Sequence, residues 1–458
     1  MTKLPNGPKT PALLQLIQWI SDPLNYLETN AKQYGDMFTA NMTGFPPFVM
    51  VSHPQAVREL FTADTQQFDA GRTNNLLGSL FGDRSIVMLD GDRHKRERKL
   101  LMPPFHGERL QTYAQSISNI AHKIGSQWQK NKPFIVRQAM QEITLEVIIQ
   151  VVFGLKEGER YQQLKPLVTE MLDSLSSPFE ASFMFFKFLQ KPWIPGSPWR
   201  KMKQATKKIY ALLAAEIEDR RNHPELMGDD ILSLMMVARD EAGEPMSDQE
   251  LKDEMMILLV AGHETTATTL AWAFYWVHHL PEVKNKLLEE LANLGENPNP
   301  MTMAKLPYLS AVCQETLRIY PVGLLTFGRI TNSPVSIMEH EFDPEIMLAG
   351  CIYLTHHRED LYPNSKQFKP ERFLERQYSA YEFYPFGGGN RLCIGYALAL
   401  LEMKLVLATI LSNYELNLAP NQTVKPERRG FTLAPSGGVK MIMQGQKVTT
   451  KELVNVGG

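Results

Sequence analysis

The chain has 458 residues and a mass of 52.1 kDa, with 43% hydrophobic, 9% aromatic and 21% charged residues. That excludes a disordered chain, a collagen-like chain and a small disulfide scaffold. The 48 basic and 50 acidic residues nearly cancel, to −2, so no basic excess argues for nucleic acid.

From the N-terminus, Met1 to Pro11 carries two lysines and three prolines but no apolar core, so it is not expected to be a signal peptide. Residues 13–44 read as a helix followed by a strand. A short strand, Phe48 to Val51, and a helix after Pro54 come next. Helical patterns dominate from about Gly91 to Tyr320. The C-terminal third is rich in Pro and Gly, with short strands at 335–353 and 431–443 and one helix beginning at Ile394. No run approaches the roughly 18 apolar residues of a membrane helix. Cys313, Cys351 and Cys393 are few and far apart, which fits a reducing cytoplasm. The expectation is one large, mainly α domain with a minor β portion over 1–458.

Segment 247–280 is the most telling. Ser247 and Glu250 form a capping-box pattern, and Pro281 ends the helical run. The helix between them would be about 50 Å long. It is apolar on all sides, so it should be buried. Gly262-His263-Glu264-Thr265-Thr266 interrupts it. A mid-helix Gly costs about 1 kcal/mol against Ala, and a buried carboxylate costs more unless paired. Such a run is hard to explain by structure alone, although tight packing and threonines bonding back to helix carbonyls would account for part of it. It is not a zinc-protease motif, because Ala267 stands where a second His is needed.

The second constellation runs from Phe386 to Gly395. Its glycines allow close backbone approach, and Cys393 sits at a helix N-terminus, which should stabilise its thiolate. Leu392 breaks a dinucleotide fingerprint. No second Cys lies near for zinc or iron–sulfur. What remains is one thiolate on a metal that brings its other ligands, as in cysteine-ligated haem.

At this point the chain resembles the cytochrome P450 family. Phe386-x-x-Gly389-x-x-x-Cys393-x-Gly395 is similar to its haem-binding signature. Glu315-Thr316-Leu317-Arg318 is similar to its E-x-x-R helix, Pro370 to Phe373 to its P-E-R-F segment, and Ala261 to Thr266 to its oxygen-activating motif. The likeness covers about Asp22 to Gln444. Its motif variants look most like bacterial, including cyanobacterial, relatives of the fatty-acid-hydroxylase branch.

The resemblance implies the family fold, with haem b between the central helix and the Cys393 loop. Phe386, Gly387 and Gly395 would cradle it. His94, Arg98, Arg329 and Arg391 would hold its propionates, and Glu315, Arg318 and Arg372 would form a buried ion triad beneath the loop. Thr265 would hydrogen-bond the dioxygen being activated, Glu264 would deliver protons, and Gly262 would leave dioxygen room. Ile86, Leu258, Ala261, Val322, Gly323, Leu324 and Phe431 would line an apolar substrate cavity. The aromatic, proline-broken stretch 179–199 resembles a lid.

The implied activity is a monooxygenase hydroxylating or epoxidising a hydrophobic substrate. Long-chain fatty acids are the first expectation, then terpenoids or alkanes, with Arg72 and Arg84 as candidate carboxylate anchors. Electrons would come from a ferredoxin and its reductase, steered by the basic segment 92–99. No fused reductase, nucleic acid or transmembrane anchor is expected, and the protein should be a cytoplasmic monomer. A peroxide-using or rearranging enzyme and a non-catalytic haem sensor are the alternatives.

Overall fold

The computed structural model describes residues 3–74, 82–173, 198–430 and 432–447. Most of the expected lid stretch 179–199 therefore lies outside the described residues; Trp199 is described, and is buried.

The helix Asp248–His279 runs through the middle of the molecule. The Glu250 amide donates to Ser247 Oγ at 3.3 Å, and the Ser247 amide donates to Glu250 Oε2 at 2.7 Å, so two orphan donors of the first turn are satisfied reciprocally. Pro281 opens the next helix, Pro281–Ala292. Helices Val136–Val147, Tyr396–Asn413, Pro307–Ile319 and Pro198–Asn222 all pack on the central one. Of its two tryptophans, Trp272 is satisfied in the core, its indole donating to the Leu433 carbonyl at 2.8 Å, whereas the buried Trp276 Nε1 has no partner among the described residues. Val136–Val147 continues into a π-helical turn, Ile148–Val152, alongside the central helix. Such turns recur where a helix is shaped around a site.

The β portion is peripheral. Strands Met37–Ala40, Phe48–Val51, Met347–Gly350, Arg329–Thr331 and Phe68–Asp69 lie side by side in that order. Only the pairing of Phe48–Val51 with Met347–Gly350 is parallel. A second sheet joins Pro133–Ile135, Lys440–Gln446 and Tyr414–Leu418, and two hairpins complete it.

Four sequence expectations are corrected. Residues 13–44 hold two helices, Ala12–Ser21 and Pro23–Tyr34, before the strand. Asp22 caps the second helix by accepting the Asn25 amide at 3.2 Å, and Pro23 takes its first position. The C-terminal helix begins at Tyr396, because Ile394 and Gly395 still belong to the cysteine loop. In 335–353 the last strand ends at Gly350, and a short helix, Ile352–His356, follows. Finally, Tyr396–Asn413 does meet the length and composition of a membrane span, but 61% of it is buried inside the fold.

Candidate functional site

Gly387 and Gly389 adopt φ of +71° and +64°, which L side chains disfavour. A Cβ at Gly388 would stand 2.2 Å from the Phe61 ring, so the loop is pressed against the end of helix Pro54–Thr62. The Cys393 amide closes the loop by donating to the Phe386 carbonyl at 3.0 Å.

Cys393 lies deep in the protein, yet it keeps exposed surface. It therefore faces an interior space rather than packed neighbours. Cys313 and Cys351 are packed, and burial pushes their thiols up to about 12. Burial also raises the Cys393 thiol, against the opposing pull of the Gly395 amide and Arg98. The Gly395 amide at the helix start pulls towards the thiolate, as expected, while burial pulls the other way. A coordinated metal would secure the thiolate, since it deprotonates a thiol outright.

Around this space the structure gathers four cationic or protonatable groups, and all four expected positions converge. Arg98 donates to the Leu392 carbonyl at 2.8 Å. Arg329 spans Leu60 O at 2.7 Å and Gly388 O at 3.1 Å. Arg391 donates to Leu89 O at 2.6 Å and pairs with Asp90 at 2.6 Å, while its buried Nε has no partner. His94 is buried, and burial together with Arg391, Arg98 and Arg329 drives its pKa down to about 3. Burial and Arg391 lower Arg329 to about 10. Such mutual destabilisation marks a place built for anionic groups. A lone interior thiol beside a buried cation cluster fits haem: Cys393 for the iron, and these residues for the propionates. Asp90, absent from the sequence reading, is the cluster's carboxylate.

Beneath the loop, Glu315 and Arg318 are joined by two bonds of 2.7 Å and are fully buried. Arg372 Nε reaches Glu315 at 3.1 Å. The expected triad is therefore assembled, and it connects to the loop. Arg318 donates to the His356 carbonyl at 2.8 Å, His356 Nε2 accepts the Tyr384 amide at 3.0 Å, and Tyr384 O accepts the Gly387 amide at 2.9 Å.

On the central helix, Ala261 is exposed and Thr265 half-buried although the helix is internal, so this stretch also opens onto interior space. The Thr265 hydroxyl donates to the Ala261 carbonyl at 2.6 Å. Glu264 is turned towards helix Val136–Val147, where Arg137 pairs with it at 2.8 Å and Gln141 donates to it at 2.7 Å. Neither partner was found in the sequence. A Cβ at Gly262 would stand 2.6 Å from Ile148 Cδ1, so its missing side chain makes room for Ile148.

The apolar candidates are only partly brought together. Ile86 and Leu258 belong to the main core, and Val322 and Gly323 are half-buried. Leu324 packs instead on the cluster around Phe38 and Tyr26, and Phe431 lies outside the described residues. Neither candidate anchor stands in a buried site: Arg72 pairs with Glu345 at 2.9 Å, and Arg84 is exposed. The basic segment 92–99 is also less positive than its sequence. Arg96 is held by Asp240 at 2.6 Å and Glu97 at 2.5 Å, and Lys99 pairs with Glu241, leaving Arg93 and Lys95 as exposed charges.

The profile of the family described as Cytochrome P450 matches residues 5–441. Cytochrome P450 135B1 of Mycobacterium tuberculosis is 33% identical over 439 residues, covering 96% of this chain and 91% of its own. Cytochrome P450 138 of the same organism is 29% identical, covering 97% of each. Among solved structures, retinoic acid-bound cyanobacterial CYP120A1 superposes with a TM-score of 0.82 at 24% identity, covering 98% of this chain and all of the other.

Proposed function

The chain belongs to the cytochrome P450 family, and from that premise we propose that this monooxygenase hydroxylates or epoxidises a long-chain fatty acid, or failing that a terpenoid or alkane. Its cofactor is haem, which Cys393 would hold through its thiol sulfur. When bound, the haem supplies dioxygen activation, with the thiolate favouring O–O cleavage. The balanced reaction puts one oxygen atom into the substrate and releases the other as water. It consumes two electrons and two protons.

The chain's own residues position and protonate. Arg98, Arg329 and Arg391 would neutralise the propionates, and the neutral His94 would donate a hydrogen bond to one of them. Thr265 donates its hydroxyl hydrogen to the Ala261 carbonyl, which leaves its oxygen lone pairs able to accept a hydrogen bond. Glu264, held beside Arg137 and Gln141, would take up protons from solvent and relay them towards the site. The observation that carries this reading is the interior thiol of Cys393 beside three arginines and a buried His94.

The apolar character of Ile86, Leu258 and Ala261 supports a hydrophobic substrate. Retinoic acid in CYP120A1 is itself a long apolar carboxylic acid, a class that spans the fatty-acid and terpenoid choices. A ferredoxin with its reductase is the proposed electron donor, meeting Arg93 and Lys95 on helix Gly91–Leu101. We place the protein in the cytoplasm as a monomeric, single-domain enzyme.

Two spectra test this. The dithionite-reduced protein under carbon monoxide should show a strongly red-shifted Soret band that Cys393→His loses. Titration with C12 to C18 fatty acids, isoprenoid acids and alkanes should then move the Soret band towards high spin. No response to any fatty acid, with a response to another class, would overturn the substrate assignment.

A further inference from the structure

Two neighbouring acids of the central helix each bind a backbone amide of a distant loop. Asp253 Oδ2 accepts the Arg84 amide at 3.0 Å, and Glu254 Oε1 accepts the Ile86 amide at 2.5 Å. Both carboxyls are almost fully buried. Asp253 is itself fixed by the Tyr210 hydroxyl at 2.9 Å and by Gln249 at 2.6 Å. The loop comes so close that a Cβ on Gly82, whose φ is +77°, would stand 2.1 Å from Asp253 Cγ.

The other edge of the same loop is held from the cysteine side. Arg391 donates to Ile86 O at 3.3 Å and to Leu89 O at 2.6 Å, and pairs with Asp90. Segment 82–90 is thus strung between the central helix and the residue two positions before Cys393. Leu258 and Ala261 follow Glu254 by four and seven residues, one and two turns further along the same helix face.

Packing alone does not account for these acids. Burying a carboxyl is unfavourable unless it is paired or protonated, and an apolar pair would hold two helices together without that cost. What the acids provide is two acceptors aimed at two loop amides. Burial, with Glu97, Asp253 and Glu250 nearby, pushes the Glu254 carboxyl well above its usual range. Either form of the carboxyl offers an oxygen to the Ile86 amide.

We propose that Asp253 and Glu254 are specificity-determining positioning residues, which fix Ile86 as a wall of the substrate cavity by clamping the amides of Arg84 and Ile86. The proposal rests on the reading of Ile86 as a cavity residue given under the proposed function. Loosening the clamp lets the Ile86 side chain withdraw and admits bulkier ligands, while the iron site stays intact.

The test uses the haem-loaded, full-length protein and its Glu254→Ala, Glu254→Gln and Ile86→Ala variants. Amide hydrogen exchange is read over 82–90 and over 396–413. Dissociation constants for imidazole, 4-phenylimidazole and 1-dodecylimidazole are read from the Soret shift. Glu254→Ala should speed exchange over 82–90 about tenfold and leave 396–413 unchanged. It should also move the 1-dodecylimidazole to imidazole affinity ratio about fivefold, in the direction that Ile86→Ala moves it, the scale of one lost hydrogen bond. Glu254→Gln keeps a neutral acceptor and should stay within about twofold of wild type on both readouts. Should Glu254→Ala not retain haem, Asp253→Ala, which removes the acceptor of the Arg84 amide, is read on the same two quantities, and faster exchange with a shifted ratio supports the clamp. An unchanged ratio in the clamp variant beside a changed one in Ile86→Ala overturns the proposal and spares the cavity reading. A ratio unmoved by Ile86→Ala overturns both.

Discussion

Arg391 Nη2 lies 2.6 Å from Asp90 Oδ1, an ion pair that ties the loop carrying Cys393 to the residue preceding helix Gly91–Leu101. The same carboxylate accepts the amides of Ala70 and Gly71 at 2.8 and 2.9 Å. It is the anionic counterweight to Arg391, with His94, Arg98 and Arg329 alongside. Asp90→Asn should therefore lower the urea-unfolding free energy of the haem-free protein by about 2–3 kcal/mol, as removing one partner of a buried pair does. In the haem-loaded protein the propionates share the neutralisation, so the loss should be clearly smaller. Equal losses in both forms would contradict a shared charge role.

Glu315→Gln removes the one charge facing Arg318 and Arg372 at the base of the cysteine loop. Two buried guanidinium groups then lack their carboxylate, at a cost of about 3–5 kcal/mol. The path from Arg318 through His356 and Tyr384 to the Gly387 amide transmits that loss to the loop. The expected outcome is protein with reduced haem uptake and a diminished red-shifted carbon monoxide band. Circular dichroism and haem content on the same sample check it. Arg372→Gln should be milder, because Arg372 makes a single 3.1 Å bond to Glu315 whereas Arg318 makes two of 2.7 Å.

The residues legible in the sequence were those whose type is chemically constrained. Cys393 in a glycine-rich loop, the i, i+3 spacing of Glu315 and Arg318, and the capping pattern of Ser247 and Glu250 can all be read locally. What escaped depends on partners far along the chain. Asp253 and Glu254 bind amides about 170 positions away, and an amide carries no sequence signal. Segment 92–99 looked basic because its local sequence does not contain Asp240 and Glu241, which tie down Arg96 and Lys99. The strand Tyr414–Leu418 was missed because its register with Lys440–Gln446 is a property of the folded sheet. The close approach of Ile148 to Gly262 likewise depends on how two distant segments pack.

That approach gives a second stability test. Gly262→Ala should gain about 1 kcal/mol of helix propensity, but its new methyl meets Ile148 Cδ1 at 2.6 Å in a packed core. Overpacking of this kind costs about 1–3 kcal/mol, so the single variant should be destabilised or neutral. With Ile148→Val or Ile148→Ala as background the clash is relieved, and Gly262→Ala should become stabilising. A double-mutant cycle on urea midpoints reads the sign change. Imidazole affinity should hardly move in Gly262→Ala, whereas Ala261→Phe should weaken it at least tenfold by filling the interior space.

Buried histidines and buried acids should push the pH dependence of stability in opposite directions. His263, His278 and His356 are held neutral in the fold, each lowered to about 3, first by burial and then by nearby cations. In the unfolded chain they take up a proton below about 6.5. The stability each contributes is thus complete above about 6.5 and is lost as pH falls towards 3. At pH 5 each costs about 2 kcal/mol relative to pH 8. Glu97 runs the other way. Burial and Glu250 raise it to about 7, so its contribution is present below about 4.5 and is lost as pH rises through 7. Replacing His263 by Gln should shrink the difference in unfolding free energy between pH 8 and pH 5 by about 2 kcal/mol. Replacing Glu97 by Gln should stabilise the protein at pH 8 and leave it nearly unchanged at pH 5. Glu254 and Glu402, raised well above the usual carboxylate range first by burial, act in the same direction as Glu97, so the single variants rather than the net slope separate the two groups. A His263→Gln protein whose pH 8 to pH 5 difference equals that of wild type would show that His263 is already charged in the folded state.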